Sequence, residues 1–309
     1  MKSSDVHIEQ ALSNFAVSII QNSNFVSDIL MPPQPVIFES DKFWIFGNEE
    51  LKYEYNLKRA DGAPAVELDS KMTEGSYATD NYSGKQKITR RQKNNADSIV
   101  RLQQKTTRRI VSKIRLAMEI DAEALLNDTG TFEHDSPATK WDDTSPLPDI
   151  MGDIDAAYYA FFDQAGIEPN YIVIPSSVAR VMAADSTLLG LQMYTKNNLI
   201  EGIGIPLVIR NMKVVIPGSR MVTTEPGITE VVGRVWRTDN VGLYYVDPLA
   251  SEDAFTVGVQ FRIRLNGLDV WIKSWDDPNV DATWYEGNMQ NGGKIIAAEA
   301  GYIIDNVLT

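Results

Sequence analysis

The chain has 309 residues, 43% of them hydrophobic, and its 29 basic and 42 acidic side chains give a formal net charge of −13. That length supports a large core and about two domains. Cysteine is absent, which excludes disulfides, thiolate metal sites and cysteine nucleophiles and fits a reducing compartment. No stretch approaches the apolar length of a membrane span, and the N-terminus lacks the basic and apolar run of a signal peptide.

Positive charge is segregated. Between Lys85 and Arg115 stand eleven basic residues and one acid, Asp97; without them the chain carries 18 basic against 41 acidic residues, or −23. A positive ribbon on a negative remainder suits self-association.

Residues 1–36 read as an N-terminal arm. Ile8, Leu12, Phe15, Ala16, Ile19 and Ile20 fall at helical spacing, and Met31-Pro32-Pro33-Gln34-Pro35 detaches the helix from the body of the chain. Its apolar face, led by Leu12 and Phe15, is expected on another subunit or a scaffolding protein, with an intramolecular cap as the alternative. Residues 37–50 hold the strand-like Phe43-Trp44-Ile45-Phe46, after which Leu51, Tyr53, Tyr55 and Leu57 alternate with polar residues as a half-buried strand does. Residues 51–94 form an extended excursion. From Arg59 to Asn94 only Val66, Leu68, Met72 and Ile88 are apolar anchors, so this stretch is either a disordered loop or, as the flanking alternation favours, an arm ordered on a neighbouring subunit.

Residues 95–145 contain the longest helical signal, from Asp97 to Asn127, roughly 45 Å at helical rise. Ile99, Leu102, Ile110, Ile114, Ala117, Met118 and Leu125 make its stripe, Asp97 or Ser98 can cap it, and Gly130 lies past its end. Its charges oppose the helix dipole. Arg101, Lys105, Arg108 and Arg109 lie at the positive end and Glu119, Asp121 and Glu123 at the negative end, each placement unfavourable by some tenths of a kcal/mol. Partners outside the helix are expected to compensate, so the intersubunit contact is assigned to Lys85, Lys87, Arg90, Arg91, Arg101, Lys105, Arg108 and Arg109, with Leu12 and Phe15 of the arm. The ribbon lacks Phe, Tyr and Trp, which removes a base-stacking platform and leaves duplex backbone contact open.

Thr131 to Leu147 reads as an acidic loop with Glu133, His134, Asp135, Asp142 and Asp143. An α/β block comes next, over residues 146–225. Ile150, Ile154, Ala157, Tyr158, Phe161 and Phe162 predict a helix stopped at Gly166, and Tyr171 to Ile174 a buried strand. Pro206 to Ile209 and Lys213 to Ile216 predict two strands turned at Asn211, with a further strand at Val241 to Val246 in the returning segment 226–254. Residues 255–309 are mainly β: Phe255 to Leu265 alternates, and Asn266-Gly267 predicts a hairpin returning into Leu268, Val270 and Ile272.

Catalytic chemistry is sparse. The two histidines, His7 and His134, offer a poor base for a serine triad, and Pro175 stands where a nucleophile elbow needs glycine, so capping is the expected role of Ser176 and Ser177. Gly202-Ile203-Gly204 is an incomplete dinucleotide loop, and the acidic loop lacks the ligand spacing of a calcium site. No enzyme activity, metal or cofactor is expected.

The order of parts resembles the major capsid proteins of tailed bacteriophages: arm, strand into a long loop (Leu51 to Asn94), spine-like helix (Asp97 to Asn127), α/β block (Pro146 to about Met221) and closing β segment (Phe255 to Leu308). Pro169-Asn170-Tyr171-Ile172-Val173-Ile174-Pro175, the helix opening at Ser176, and Ile205 to Pro217 look like the central strand and helix of that family's axial domain. The resemblance implies an α+β Hong Kong 97-type capsid fold. Its peripheral domain would take residues 37–50, 95–145 and 255–309, its axial domain 146–225, and its extended loop 51–94.

It further implies hexamers and pentamers in an icosahedral shell around double-stranded DNA, in the virion, assembled in the host bacterial cytoplasm. Portal and decoration proteins are partners the family implies; membrane is not. The short N-terminal segment points to a separate scaffolding protein. Some relatives cross-link a loop lysine to a neighbour's asparagine; Lys58, Lys71 and Lys85 and Asn279, Asn288 and Asn291 are present, but no pattern singles out a pair. The alternatives are an encapsulin-like bacterial nanocompartment shell and, from another class, an acidic α/β hydrolase.

Overall fold

Helical spacing places the longest helix close to where it is expected. The computed structural model describes residues 7–8, 10–21, 25–45, 58, 61, 73–96, 98–185, 200–201, 205–224, 229–247, 249 and 254–309. The alternating run Leu51 to Leu57 and the apolar anchors Val66, Leu68 and Met72 lie outside the described residues, as does Gly202-Ile203-Gly204. The chain opens with β1 (His7–Ile8), α1 (Gln10–Gln21), α2 (Val26–Leu30), β2 (Pro33–Val36), β3 (Ser40–Ile45), β4 (Thr73–Ala78), β5 (Asp80–Thr89) and α3 (Arg90–Asn94). The spine helix α4 (Ile99–Leu126) leads to β6 (Glu133–Asp135), α5 (Ile150–Ala165), β7 (Tyr171–Val173) and α6 (Ser176–Ala184). Short strands come next: β8 (Ile200–Glu201), β9 (Ile205–Pro206), β10 (Val208–Ile209), β11 (Met212–Val215), β12 (Arg220–Val222), β13 (Val232–Arg234) and β14 (Val241–Tyr244). The chain closes with β15 (Gly258–Ile263), β16 (Trp271–Asp277), β17 (Ala282–Ile295) and β18 (Gly301–Ile304).

Two six-stranded sheets organise these elements. In the first, β17 is the axis: β5 runs antiparallel along one edge from Ala282↔Thr89 to Asn291↔Asp80, while β16 and β15 share the other edge, end to end. The second has the order β10-β11-β7-β14-β18-β6.

This topology corrects several expectations. Asp80 to Asn94, expected in an excursion unable to bury itself, is a strand of the first sheet plus a short helix, because ten ladder rungs satisfy its backbone without many apolar side chains. Thr73–Ala78 likewise pairs with Ser40–Ile45 in its own chain. Asn266-Gly267 does turn, with φ of 52° and 79° and a Leu265↔Leu268 bridge, but no hairpin grows from it. The chain re-enters the sheet in its original direction, since β15 and β16 are both antiparallel to β17. Part of the acidic loop, Glu133–Asp135, is an edge strand on β18. The second sheet also takes β14 from residues 226–254 and β18 from residues 255–309, so it is not confined to 146–225.

Ser98 caps α4, its Oγ accepting the Arg101 N–H at 3.4 Å. Thr106, Thr107, Ile110, Val111, Ile114 and Met118 form the buried stripe. It rests on the first sheet over a glycine pair, Gly287 opposite Gly84. A Cβ on Gly287 would meet Ile110 Cγ2 at 2.8 Å, whereas one on Gly84 would meet it at 3.6 Å.

A buried polar knot joins α4 to the arm and the sheet. Arg115 and Arg262 are 1% and 2% exposed. Asp28 bridges them, accepting from Arg115 Nη1 at 3.2 Å, from Arg115 Nη2, and from Arg262 Nη2 at 2.6 Å. Burial pushes the Asp28 carboxyl up, but Arg262 and Arg115 together outweigh it and hold its pKa below the ordinary value. One turn along α4, fully buried Glu119 accepts the backbone N–H groups of Val26 and Ser27 at 3.2 and 3.1 Å and the Trp236 Nε1–H at 2.7 Å.

This packing sets two measurable outcomes. Asp28→Asn should destabilise the subunit by about 3 kcal/mol at neutral pH, because two buried cations lose their shared counter-charge. A carboxylate with lowered pKa stabilises above the usual carboxylate range, and that contribution fades as pH falls through the lowered value. Urea titrations should therefore show the gap between wild type and variant narrowing once the pH drops below the ordinary carboxylate range; an unchanged gap would remove the ionic explanation. Gly287→Val should cost about 1–3 kcal/mol by lifting α4, and Gly84→Ala distinctly less, as read from Tm.

Candidate assembly surface

The ribbon that is continuous in sequence is divided by the fold. Along β5, even-numbered residues point toward α4: Ile88 packs with Ile110, Val111 and Ile114. Lys85 and Lys87 therefore stand on the opposite, open face of the sheet. Their ammonium groups lie 5.2 and 5.7 Å from the Trp284 ring centroid, and Trp284 stacks with Trp275 at 6.5 Å. Nothing in the local sequence pairs these lysines with an aromatic almost two hundred residues away; the β5–β17 register does. Arg90 and Arg91 are exposed on α3, which begins with a Thr89–Gln92 capping box.

Arg101, Lys105, Arg108 and Arg109 occupy the exposed face of α4, joined by Lys113. The last ribbon cation, Arg115, has no surface role because Asp28 takes it into the interior. Beside Arg109 and Lys113 a groove of about 660 Å³ opens, lined also by Phe25, Ser112, Leu116, Gly218, Ser219 and Arg220. Arg220 comes from β12, and its place on this surface is not legible from sequence.

The arm takes the intramolecular alternative at Leu12, which is buried with Ala16 against Ile110, Val111, Ile114 and Met118 of α4 and Val270 and Ile272 of the sheet. Leu12, which the sequence assigns to a neighbouring subunit, is thus buried within its own chain, where the same amphipathic pattern fits a cap on its own spine helix. Phe15 is half-buried, with the Arg108 guanidinium 5.8 Å from its ring centroid. Ser13 Oγ accepts the Ile272 N–H at 2.9 Å and ties the helix to β16.

The remaining chemistry is structural. Ser176 and Ser177 do not cap α6, whose N-cap residue is Pro175; Ser177 donates to the Thr238 carbonyl instead. His134 lies on β6, three strand spacings from β7 in the sheet order, or roughly 14 Å, so strand order gives a triad with these serines no support. Asn288 and Asn291 are buried and bond within the chain, to Glu286 and Arg262 respectively, while Asn279 sits in the β16–β17 turn. Among the described residues no His, Cys, Asp and Glu group has metal-holding geometry, and no helix is long and apolar enough to cross a membrane.

The sequence profile described as phage capsid protein matches residues 73–304, three quarters of the chain, from β4 through β18. The chain belongs to the phage capsid protein family. It has the Hong Kong 97-type capsid fold and is a structural shell protein whose place is the virion capsid. Among solved structures it resembles a phage-related protein from Bordetella bronchiseptica, with a TM-score of 0.73 and 22% identity over 97% of each chain. It also resembles the capsid of cyanophage P-SCSP1u, with a TM-score of 0.60 and 11% identity over 91% of this chain and 87% of that one. An encapsulin complex from Synechococcus elongatus gives a TM-score of 0.51 at 12% identity over 92% and 88%. No curated protein matches the sequence.

Leu12→Asp should lower the stability of the free subunit by about 3 kcal/mol, since it buries a carboxylate in an apolar cluster. A wild-type unfolding midpoint combined with failed assembly would instead return Leu12 to the subunit contact.

Proposed function

We propose that this chain is the major capsid protein of a tailed bacteriophage, arranged as hexamers and pentamers in an icosahedral shell around double-stranded DNA. The observation that carries the reading is the family match, which spans the spine helix, the whole second sheet and four of the six strands of the first. A separate scaffolding protein, a portal and a decoration protein are its expected partners, and assembly takes place in the host bacterial cytoplasm. The shell's work is mechanical and electrostatic: each subunit presents the same surfaces to its neighbours, so repeated weak contacts close a particle without bond chemistry.

An encapsulin-like nanocompartment is the second reading, favoured by the likeness to an encapsulin and to a virus-like particle from Pyrococcus furiosus, the latter with a TM-score of 0.52 at 12% identity. Both likenesses speak for the fold alone, whereas the family match is to phage capsids.

Electron microscopy of the purified chain should show closed shells of uniform diameter, and particles from producing cells should protect DNA from nuclease. Shells filled with a protein cargo and free of DNA would favour the nanocompartment. A chain that stays monomeric under all assembly conditions would defeat both.

A further inference from the structure

The spine helix is neutralised at one end only. At its acidic end Glu119 takes three N–H donors, Asp121 accepts from the Tyr82 hydroxyl at 2.6 Å, and Glu123 accepts from Arg237 N and Asn127 Nδ2. At its basic end the described residues supply no carboxylate, and the Phe15 ring 5.8 Å from the Arg108 guanidinium carries no counter-charge. From Ser98 to Met118 there is no acidic residue, and among the described residues none of Arg101, Lys105, Arg108, Arg109 or Lys113 is in an ion pair. The groove at the end of this row adds Arg220, and among the described residues no carboxylate lines it.

Composition decides what such a face can hold. Between Arg101 and Lys113 the exposed residues are the five cations and Ser112. Cores of protein–protein interfaces are depleted in lysine, serine and charge overall and enriched in arginine and aromatic residues; this face shares only the arginines, and it exposes no aromatic between Arg101 and Lys113. Contacts to nucleic-acid backbones, by contrast, come mainly from arginine, lysine and serine donors. The five charges cover roughly 18 Å of helix, about one per 4 Å, close to the roughly 3.4 Å axial spacing of phosphates along one duplex strand. Backbone contact of this kind needs no stacking aromatic, so the ribbon's lack of them does not count against it.

We propose that the exposed face of the spine helix, from Arg101 through the Arg109–Lys113–Arg220 groove, binds the phosphate backbone of duplex DNA. This replaces the neighbouring subunit that the sequence assigns to the same residues. It rests on the shell reading for one consequence only: the α4 side of the helix-sheet layer faces the lumen, and the open sheet face with Lys85, Lys87 and Trp284 faces the other way.

The test is fluorescence anisotropy of free subunits with a labelled mixed-sequence duplex across a salt series. Wild type should bind with a steep negative salt dependence. The variant Arg101→Gln, Lys105→Gln, Arg108→Gln, Arg109→Gln should lose at least about tenfold in affinity and about 3–4 in the slope of log K against log salt. Lys85→Gln, Lys87→Gln should bind like wild type. Arg108→Lys, Arg109→Lys, which keeps the charge, should also bind like wild type, and this holds however well the glutamine variant folds. Absent wild-type binding, full binding by the glutamine variant, or displacement of duplex by poly-glutamate as readily as by unlabelled duplex would overturn the proposal. DNA-free assembly separates the two readings. Loss of shells in the glutamine variant while wild type assembles makes the face a subunit contact and sinks the proposal, whereas absence of wild-type shells sinks the shell reading and leaves duplex binding to stand on the anisotropy.

Discussion

One carboxylate sets the relation between the parts of this subunit. Asp28 lies between two guanidinium groups that burial alone would set against each other, Arg115 on the spine helix and Arg262 on β15. Apolar packing is non-directional; a carboxylate gripped by the two-pronged Arg115 and by Arg262 Nη2 adds directional bonds that fix the register. Arg262 also donates to Gln260 and Asn291, and Gln260 Nε2 donates to the Ser27 carbonyl at 2.9 Å, so sheet, arm and spine close a single ring of bonds. Glu119 completes it, because its oxygens fix both the start of α2 and the indole of Trp236. Desolvating so many charges costs free energy, and what the arrangement returns is a unique register.

The spine helix carries its charges against its own dipole, and the fold resolves the two ends differently. The acidic half is turned inward or into polar contacts, and its last turn gains a further bond when the Tyr244 hydroxyl, raised in pKa by burial, donates to the Leu126 carbonyl at 2.6 Å. Burial also pushes the Glu123 carboxyl up, against the N–H and charge of Arg237, so the helix end tolerates a costly acid in exchange for holding the 234–240 segment. The basic half is left on the surface. Among the described residues, then, one end of the helix is satisfied within the chain, while the other presents cations without carboxylate partners.

Elements whose side chains follow a period are legible in the sequence. The spine helix is a 3.6-residue stripe within two residues of its expected ends, α5 stops at Gly166 with φ 68° as expected, and Arg210-Asn211 forms its turn with φ of 48° and 65°. The misses share one cause, that tertiary pairing overrides local polarity. β17 reads ATWYEGNMQNGGKI, without a clean alternation, yet it is the axis of the first sheet because three neighbours pair with its backbone and its glycines admit the helix. β5 reads as loop for the same reason. The charge ribbon is legible as composition but not as a surface, since strand β5 and helix α4 sort its residues to opposite sides of one layer. Asp28 and Arg262 give no signal at all, being ordinary charged residues until 234 positions of chain are folded between them.

The two sheets are not independent bodies threaded on a string. α4 leaves the first sheet and delivers β6 to the second; β17 runs through the first and β18 returns to the second. Between them lies a cluster with Val26 and Leu30 of α2, Ala122 and Leu126 of α4, and Val173, Val215, Tyr244 and Ile303 of the second sheet. A hinge would need this cluster to open and the Glu119–Trp236 and Tyr244–Leu126 bonds to break together. For a shell subunit the consequence is geometric. Small errors in the angle between halves would multiply over every copy in a particle, and the shared cluster and bonds between the halves work against such errors.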